Sequence, residues 1–219
     1  MSINDEYYKN HYRTVTDTGM IGVISRLIHI IMENQRVKGF KKIKTLKNLR
    51  TLEVGAGMGQ HKRYVKNYSE YIETDIRPEN LPEGKFKQIS IDCSNLPFPE
   101  NSFDRLIATC LLVHLNNPEK ALLEFKRVVK TGGVITLYVA CEPGIFLRVM
   151  QQLTTRRIQK NTYTNPKYRH YQDHVSNYPA IKVFINHIFS GCKVIRFKRY
   201  PFHFMSWNFN LFAVVTIQL

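Results

Sequence analysis

One stretch constrains this chain more than any other: Thr51–Gln60, reading Thr-Leu-Glu-Val-Gly-Ala-Gly-Met-Gly-Gln. The apolar-leaning run Leu49–Val54 reads as a short buried strand, and Gly55, Gly57 and Gly59 follow it at alternate positions. Glycine adopts positive φ without steric penalty and lets a ligand come close to the backbone. A strand, a glycine loop and a helix, in that order, bind a nucleotide-like cofactor at the carboxyl end of a parallel sheet. A dinucleotide fingerprint, G-x-G-x-x-G/A, needs a small residue where Gln60 stands. The pattern is instead E-x-G-x-G-x-G, from Glu53 to Gly59. A purely structural turn is the competing reading of the glycines by themselves.

The downstream chain supports the cofactor reading. His61–Tyr68 reads as a short helix whose N-terminus offers N–H groups to an anion. Tyr71–Thr74 reads as a second strand, and Asp75 ends it about 20 residues past Gly55, where an acidic side chain accepts from ribose hydroxyls in dinucleotide folds. Phe86–Ile91, Phe103–Thr109 and Val134–Ala140 read as third, fourth and fifth strands, with Asp92-Cys93 after the third. Pro118–Val129 has helical spacing, and Lys130 with Gly132-Gly133 reads as its stop. Alternating strands and helices predict a doubly wound, mostly parallel, Rossmann-like α/β sheet of seven strands.

Both flanks break this rhythm. Ile21, Ile24, Leu27, Ile28 and Ile31 form a near-helical stripe over Ile21–Met32, preceded by Tyr7, Tyr8, His11 and Tyr12. This segment reads equally as an N-terminal helical cap over the sheet and as a substrate lid carrying aromatic side chains. Lys41, Lys42, Lys44 and Lys47 crowd Phe40–Arg50, which reads as a solvated turn into the first strand or, alternatively, as a phosphate-binding patch. After the fifth strand, Phe146–Leu153 reads as a helix. The run Thr154–Pro179 is polar, basic and tyrosine-rich, an insertion whose length suits a functional segment better than filler. Ala180–Phe189 then reads as a helix, and Lys193–Arg199 and Phe209–Gln218 as a C-terminal antiparallel hairpin at the sheet edge. The organisation is one domain: a cap over 1–48, a core over 49–140, a substrate-side insertion and helix over 141–190, and a hairpin over 191–219.

The length of 219 residues and the hydrophobic fraction of 43% suit one folded domain with a sizeable core. No apolar run reaches the roughly 18 residues of a membrane span, and Met1–His11 lacks the apolar core of a secretory signal. Cys93, Cys110, Cys141 and Cys192 are spread too widely for a metal motif or a dense disulfide frame, which suits a reducing, cytoplasmic setting. No metal constellation is evident. The formal net charge of +15 attracts an anionic partner, unless it reflects only a basic proteome. Asn165-Pro166-Lys167-Tyr168 imitates a motif of base-flipping enzymes, but it lies far beyond the end of the fourth strand, where that motif belongs.

Several features occur together and in order: the E-x-G-x-G-x-G loop, Asp75, Asp92-Cys93, Leu96–Asp104, Val113-His114-Leu115 and Arg127–Gly133. In this combination the chain resembles the class I S-adenosylmethionine (SAM) methyltransferases, in particular the small ubiquinone/menaquinone-type enzymes. The likeness covers about 49–140, with Thr131 where that family usually carries proline. It implies SAM as cofactor and S-adenosylhomocysteine as product. By the same resemblance Gly55, Ala56, Gly57 and Gly59 would pack against the methionine part, and Glu53 would help hold its amino group. Asp75, with Ile76 beside it, would bind the ribose, Asp92 and Cys93 the adenine, and Thr109 and Cys110 would floor the site beneath the sulfonium. His114 sits just beyond. If the acceptor is a hydroxyl or a protonated amine, a base helps, and His114 first, then His61, His170 and His174, are candidates because histidine titrates near neutral pH.

The acceptor is left to the chain's own residues. Tyr8, Tyr12, Arg156, Arg157, Arg169, His170 and His174 are candidates to frame a small anionic or phosphate-bearing acceptor, such as a nucleotide-linked sugar or a surface-polysaccharide precursor. An RNA methyltransferase gripping a phosphate backbone is one alternative, and a SAM-fold binding protein without catalysis is another. Oligomeric state, including a homodimer, stays open at this stage.

Overall fold

Leu52 and Val54 point to one face of the sheet and Thr51 and Glu53 to the other, so both faces of the first strand require cover. The computed structural model describes residues 19–37, 39, 41–76, 88–153, 172–192 and 194–219. Within them the strands are β1 (Leu49–Val54), β2 (Tyr68–Asp75), β3 (Gln88–Ser90), β4 (Phe103–Thr109), β5 (Val129–Ala140), β6 (Val194–Tyr200) and β7 (Phe212–Gln218). They form a mixed sheet in the order β3-β2-β1-β4-β5-β7-β6. β1 pairs parallel with β2 and β4, and β4 pairs parallel with β5. β7 runs antiparallel between β5 and β6, which places the C-terminal hairpin at the sheet edge.

Two helices cover one face. α2 (Pro118–Val128) and α4 (Tyr178–Ile188) bury Leu122, Phe125, Ile181 and Ile185 against Leu52, Leu106, Leu137 and Val215. Each fully buried side chain of this size stabilises by roughly 1.5–3 kcal/mol. Both helices start the same way: Asn117 and Asn177 cap them by accepting from the N–H groups of Lys120 and Ala180, and a proline follows in the first turn. Such a cap contributes about 1 kcal/mol. The helix α3 (Ile145–Leu153) leaves β5 after a short turn.

The other face is covered by α1 (Gly19–Glu33), with Met32 packed against Ile107 and Val214. The helix is where periodicity places it, and Ile28 and Ile31 of its stripe pack against this cluster. Leu27 is half-exposed, while His29 and Glu33 are buried, so the ionic partners described below share the docking face with the stripe.

Three expectations are corrected. The segment after the glycine loop is no helix but a single 3-10 turn, His61–Tyr64. Asn67, at φ +60°, then turns the chain into β2, which begins at Tyr68. A turn this short has no helical N-terminus to offer an anion. Gly132-Gly133 does not stop α2 either, because β5 begins at Val129, directly after the helix. The glycines form a bulge in β5, where pairing with β4 steps from Phe103↔Val129 to Arg105↔Val134. A Cβ on Gly133 would lie 2.8 Å from the Lys130 carbonyl oxygen and 2.9 Å from that of Asp104, so only glycine fits. Finally, the hairpin's second strand begins at Phe212, because Trp207–Phe209 form a 3-10 turn.

Candidate cofactor and acceptor site

The strand order reverses between β1 and β4, since the chain builds outward through β2 and β3 and then returns to the other side of β1. In such sheets the ligand crevice lies at the carboxyl ends of the strands flanking the reversal. The loops bordering it here are Gly55–Gly59 after β1 and Cys110–Leu111 after β4. Gly55, Gly57 and Gly59 all have positive φ, at +66°, +53° and +63°. A Cβ on Gly55 would also lie 2.8 Å from Leu111 Cδ1, so glycine there lets the two loops touch.

Asp75 ties the loop to β2: its Oδ2 accepts from the Gly57 N–H at 2.9 Å. The Ala56 N–H donates to the Thr74 carbonyl at 3.0 Å. Ile76 is 65% exposed next to Asp75 and offers a flat apolar surface. After β3, Asp92 Oδ1 accepts from both the N–H and the Oγ of Ser94, and these bonds hold its carboxyl below the usual carboxylate range. Cys93 is buried, and burial pushes its thiol pKa up to about 12. Two carboxylates, a positive-φ glycine loop and an exposed apolar side chain along one sheet edge fit a nucleoside-bearing cofactor. Asp75 can take hydroxyls and Asp92 an exocyclic amine.

Glu53 is placed differently from its expected role. It is buried on the α1 face, and its Oε2 accepts from the Tyr71 hydroxyl at 2.6 Å. Burial raises its pKa to about 8, against the opposing pull of that hydrogen bond. A carboxyl largely neutral at pH 7 is a weak anchor for an ammonium group. Around it lies a buried ionic set. Arg105 donates from Nη1 to Glu33 Oε2 at 3.1 Å and from Nη2 to Glu33 Oε1. His61 Nε2 lies 2.9 Å from Glu33 Oε1, and His61 Nδ1 lies 2.8 Å from His29 Nδ1. Burial lowers both histidine pKa values, that of His29 to about 3, while Arg105 holds Glu33 down at about 2 against its own burial. With His61 neutral, Nε2–H donates to Glu33 and Nδ1 accepts from His29.

The fourth strand ends where the acceptor would stand. Thr109 Oγ1 approaches Met32 Sδ at 3.9 Å. Cys110 has φ +56°, a left-handed conformation that costs a side-chain-bearing residue roughly 1–2 kcal/mol and swings the chain into the 3-10 turn Leu112–His114. Burial raises the Cys110 thiol to about 12, with the Glu142 carboxylate nearby adding to the shift. His114 donates from Nδ1 to the Asp173 carbonyl at 2.8 Å and meets the His174 ring edge-on at 4.6 Å between centroids. Burial on its protein side, then His174, push its pKa down; the ring still touches solvent, so the push is smaller than full enclosure would give.

His174 in turn donates from Nδ1 to Glu142 Oε2 at 2.6 Å, and Gln151 Nε2 donates to Glu142 Oε1 at 3.2 Å. His114 and His174, distant in sequence, are thus brought together. Glu142 joins them, and nothing in its sequence surroundings marks it out. Tyr8, Tyr12, Arg156, Arg157, Arg169 and His170 lie outside the described residues. Among the described residues no group of three or more His, Cys, Asp or Glu could hold a metal ion, and the four cysteines are free.

Comparison with known proteins agrees with this geometry. Residues 52–137 match the family described as "Methyltransferase domain". The chain is 41% identical over 75 residues to an uncharacterized methyltransferase of Schizosaccharomyces pombe, covering 34% of this chain and 25% of that protein. It is 32% identical over 117 residues to a demethylmenaquinone methyltransferase of Renibacterium salmoninarum, covering 50% of this chain and 49% of that one. The chain thus spans between a quarter and about half of the length of these relatives. Its fold matches the crystal structure of a SAM-dependent methyltransferase from Archaeoglobus fulgidus over 100% of both chains, with a TM-score of 0.62 at 13% identity. Residues 52–137 therefore match a methyltransferase domain, and the fold as a whole is one shared with solved SAM-dependent methyltransferases.

Proposed function

We propose that the chain transfers the methyl group of SAM to an oxygen or nitrogen of a small acceptor held at the carboxyl ends of β4 and β5. The observation that carries this reading is the hydrogen bond that ties Asp75 to the positive-φ glycine loop beside the point where the strand order reverses, with Asp92 following β3. When bound, SAM supplies a methyl carbon on a positively charged sulfur, which leaves with the electron pair of the broken S–C bond. The protein's share is alignment. Asp75 and Asp92 would hold the nucleoside, Gly55–Gly59 would let the backbone close on the methionine part, and Thr109 and Cys110 would floor the site at the end of β4. Orientation of this kind supplies up to roughly 7–11 kcal/mol of barrier lowering in favourable cases.

For the acceptor, a net charge of +15 and the arginines Arg156, Arg157 and Arg169 favour an anionic or phosphate-bearing metabolite. A second reading has its own support. Ile145, Val149 and Leu153 on α3, with Phe202 and Phe204 after β6, are exposed large apolar side chains, and relatives are named for demethylmenaquinone and sterol methylation. These features suit an apolar acceptor.

The test is incubation with tritium-labelled SAM and fractionated cell extract. Label in anion-exchange-retained aqueous material supports the anionic acceptor, and label in the organic phase supports the apolar one. Label in RNase-sensitive material replaces both with RNA. Binding of S-adenosylhomocysteine without any transfer replaces them with a non-catalytic binding role.

A further inference from the structure

We propose that Glu142 and His174 are the proton-accepting pair of this site, with Glu142 as the positioning residue; the proposal rests on the methyltransferase reading above. Glu142 stands two residues past the end of β5 and is held by three segments. Its backbone carbonyl accepts from the Tyr178 N–H at the start of α4. Its Oε1 accepts from Gln151 on α3, and its Oε2 from His174 Nδ1 at 2.6 Å. The carboxylate is almost fully enclosed, at 9% exposure for the residue. A carboxylate fixed at Nδ1 keeps that nitrogen protonated and puts the imidazole lone pair on Nε2. It also stabilises the imidazolium that forms when Nε2 takes a proton.

The pair stands on the cofactor edge. His174 packs edge-on against His114, which follows β4 by one short turn. Leu111 of that same connection touches Gly55, and the Glu142 charge reaches Cys110 at the end of β4. Among the described residues His114 has no such orienting carboxylate: its Nδ1–H goes to a neutral backbone carbonyl. Among its contacts, His174 meets the Glu142 carboxylate and the His114 ring. The proton balance is simple. The acceptor's X–H bond breaks, its proton passes to His174 Nε2, and the electron pair left on X forms the bond to the methyl carbon as the sulfur keeps the S–C pair. The imidazolium then loses the proton to solvent.

The pair is tested on the full chain with Glu142→Gln and His174→Asn. Nitrogen-15-edited spectra of the histidine rings are expected to show wild-type His174 as one tautomer, protonated at Nδ1, and to show that preference lost in Glu142→Gln. Transfer of label from SAM should fall about 100-fold or more in both variants, with S-adenosylhomocysteine affinity by calorimetry unchanged within about twofold. An Nε2-protonated wild-type ring overturns the proposal, as does transfer within about threefold of wild type in both variants. Should wild type bind no S-adenosylhomocysteine, the methyltransferase reading itself falls, and with it the role of the pair.

Discussion

Glu53 shows how one residue can belong to a motif and yet play a role the motif does not announce. Its carboxyl is enclosed with Tyr71 and Glu73, and burial lifts its pKa from 4.5 to about 8. The folded protein therefore keeps a proton that the unfolded chain releases. The stability this provides is complete below about pH 4.5 and is lost as pH rises through about 8. Glu53→Gln keeps the shape without the titration. Urea unfolding at pH 6 and pH 9 should show wild type losing stability at the higher pH, and the variant losing less. Gly55 makes a second residue-scale case, with φ +66° and Leu111 Cδ1 2.8 Å from where a Cβ would sit. Gly55→Ala should cost about 1–3 kcal/mol in denaturant unfolding. Adding Leu111→Ala should restore only the steric part, because the backbone strain remains.

At the scale of the element, α1 is held by charge as well as by Met32. Arg105 sits in the middle of the sheet and is 1% exposed, with Glu33 as its partner. Arg105→Met leaves the Glu33 carboxylate enclosed and unmatched by its guanidinium, and should destabilise by about 3–5 kcal/mol in chemical denaturation. Replacing Glu33 and Arg105 together by apolar residues should cost much less. The histidines give the acid limb. Because the folded-state pKa values of His29 and His61 are lowered, the stability they contribute is present above the unfolded value near 6.5 and drains away as pH falls below it. Proteolytic cleavage within α1 should rise between pH 7 and pH 5, and less so in His29→Gln.

This element also marks a limit of the sequence. The 3.6-residue period located the helix almost to its ends. It put Ile28 and Ile31 on the packed face but did not show that His29 and Glu33 are buried with them, because their partners, an arginine and a histidine, come from other segments. The glycine pair at 132–133 misled for a related reason. Helix stop and strand bulge both demand glycine, and only the distance to the Asp104 carbonyl separates the two.

At the scale of the molecule, the alternation of strands and helices from Leu49 to Ala140 carried the fold class, since a parallel sheet covered on both faces leaves few other arrangements. The strand ends and the positive-φ glycine loop that border the crevice were equally legible, because they follow one another within one stretch of chain. The acceptor side was less so. The pairing of His174 with Glu142 spans 32 positions and depends on how α3 and α4 pack beyond β5, which no local pattern encodes.

The central claim is that the Gly55–Gly59 loop takes the methionine part of SAM and Asp75 its ribose. Calorimetric titration with S-adenosylhomocysteine tests it most directly, comparing wild type with Asp75→Ala. The account predicts saturable binding of one ligand per wild-type chain, weakened by about tenfold or more in the variant, in line with loss of hydrogen bonds to a charged group. Binding of equal strength in both proteins, or no binding to wild type, would contradict it.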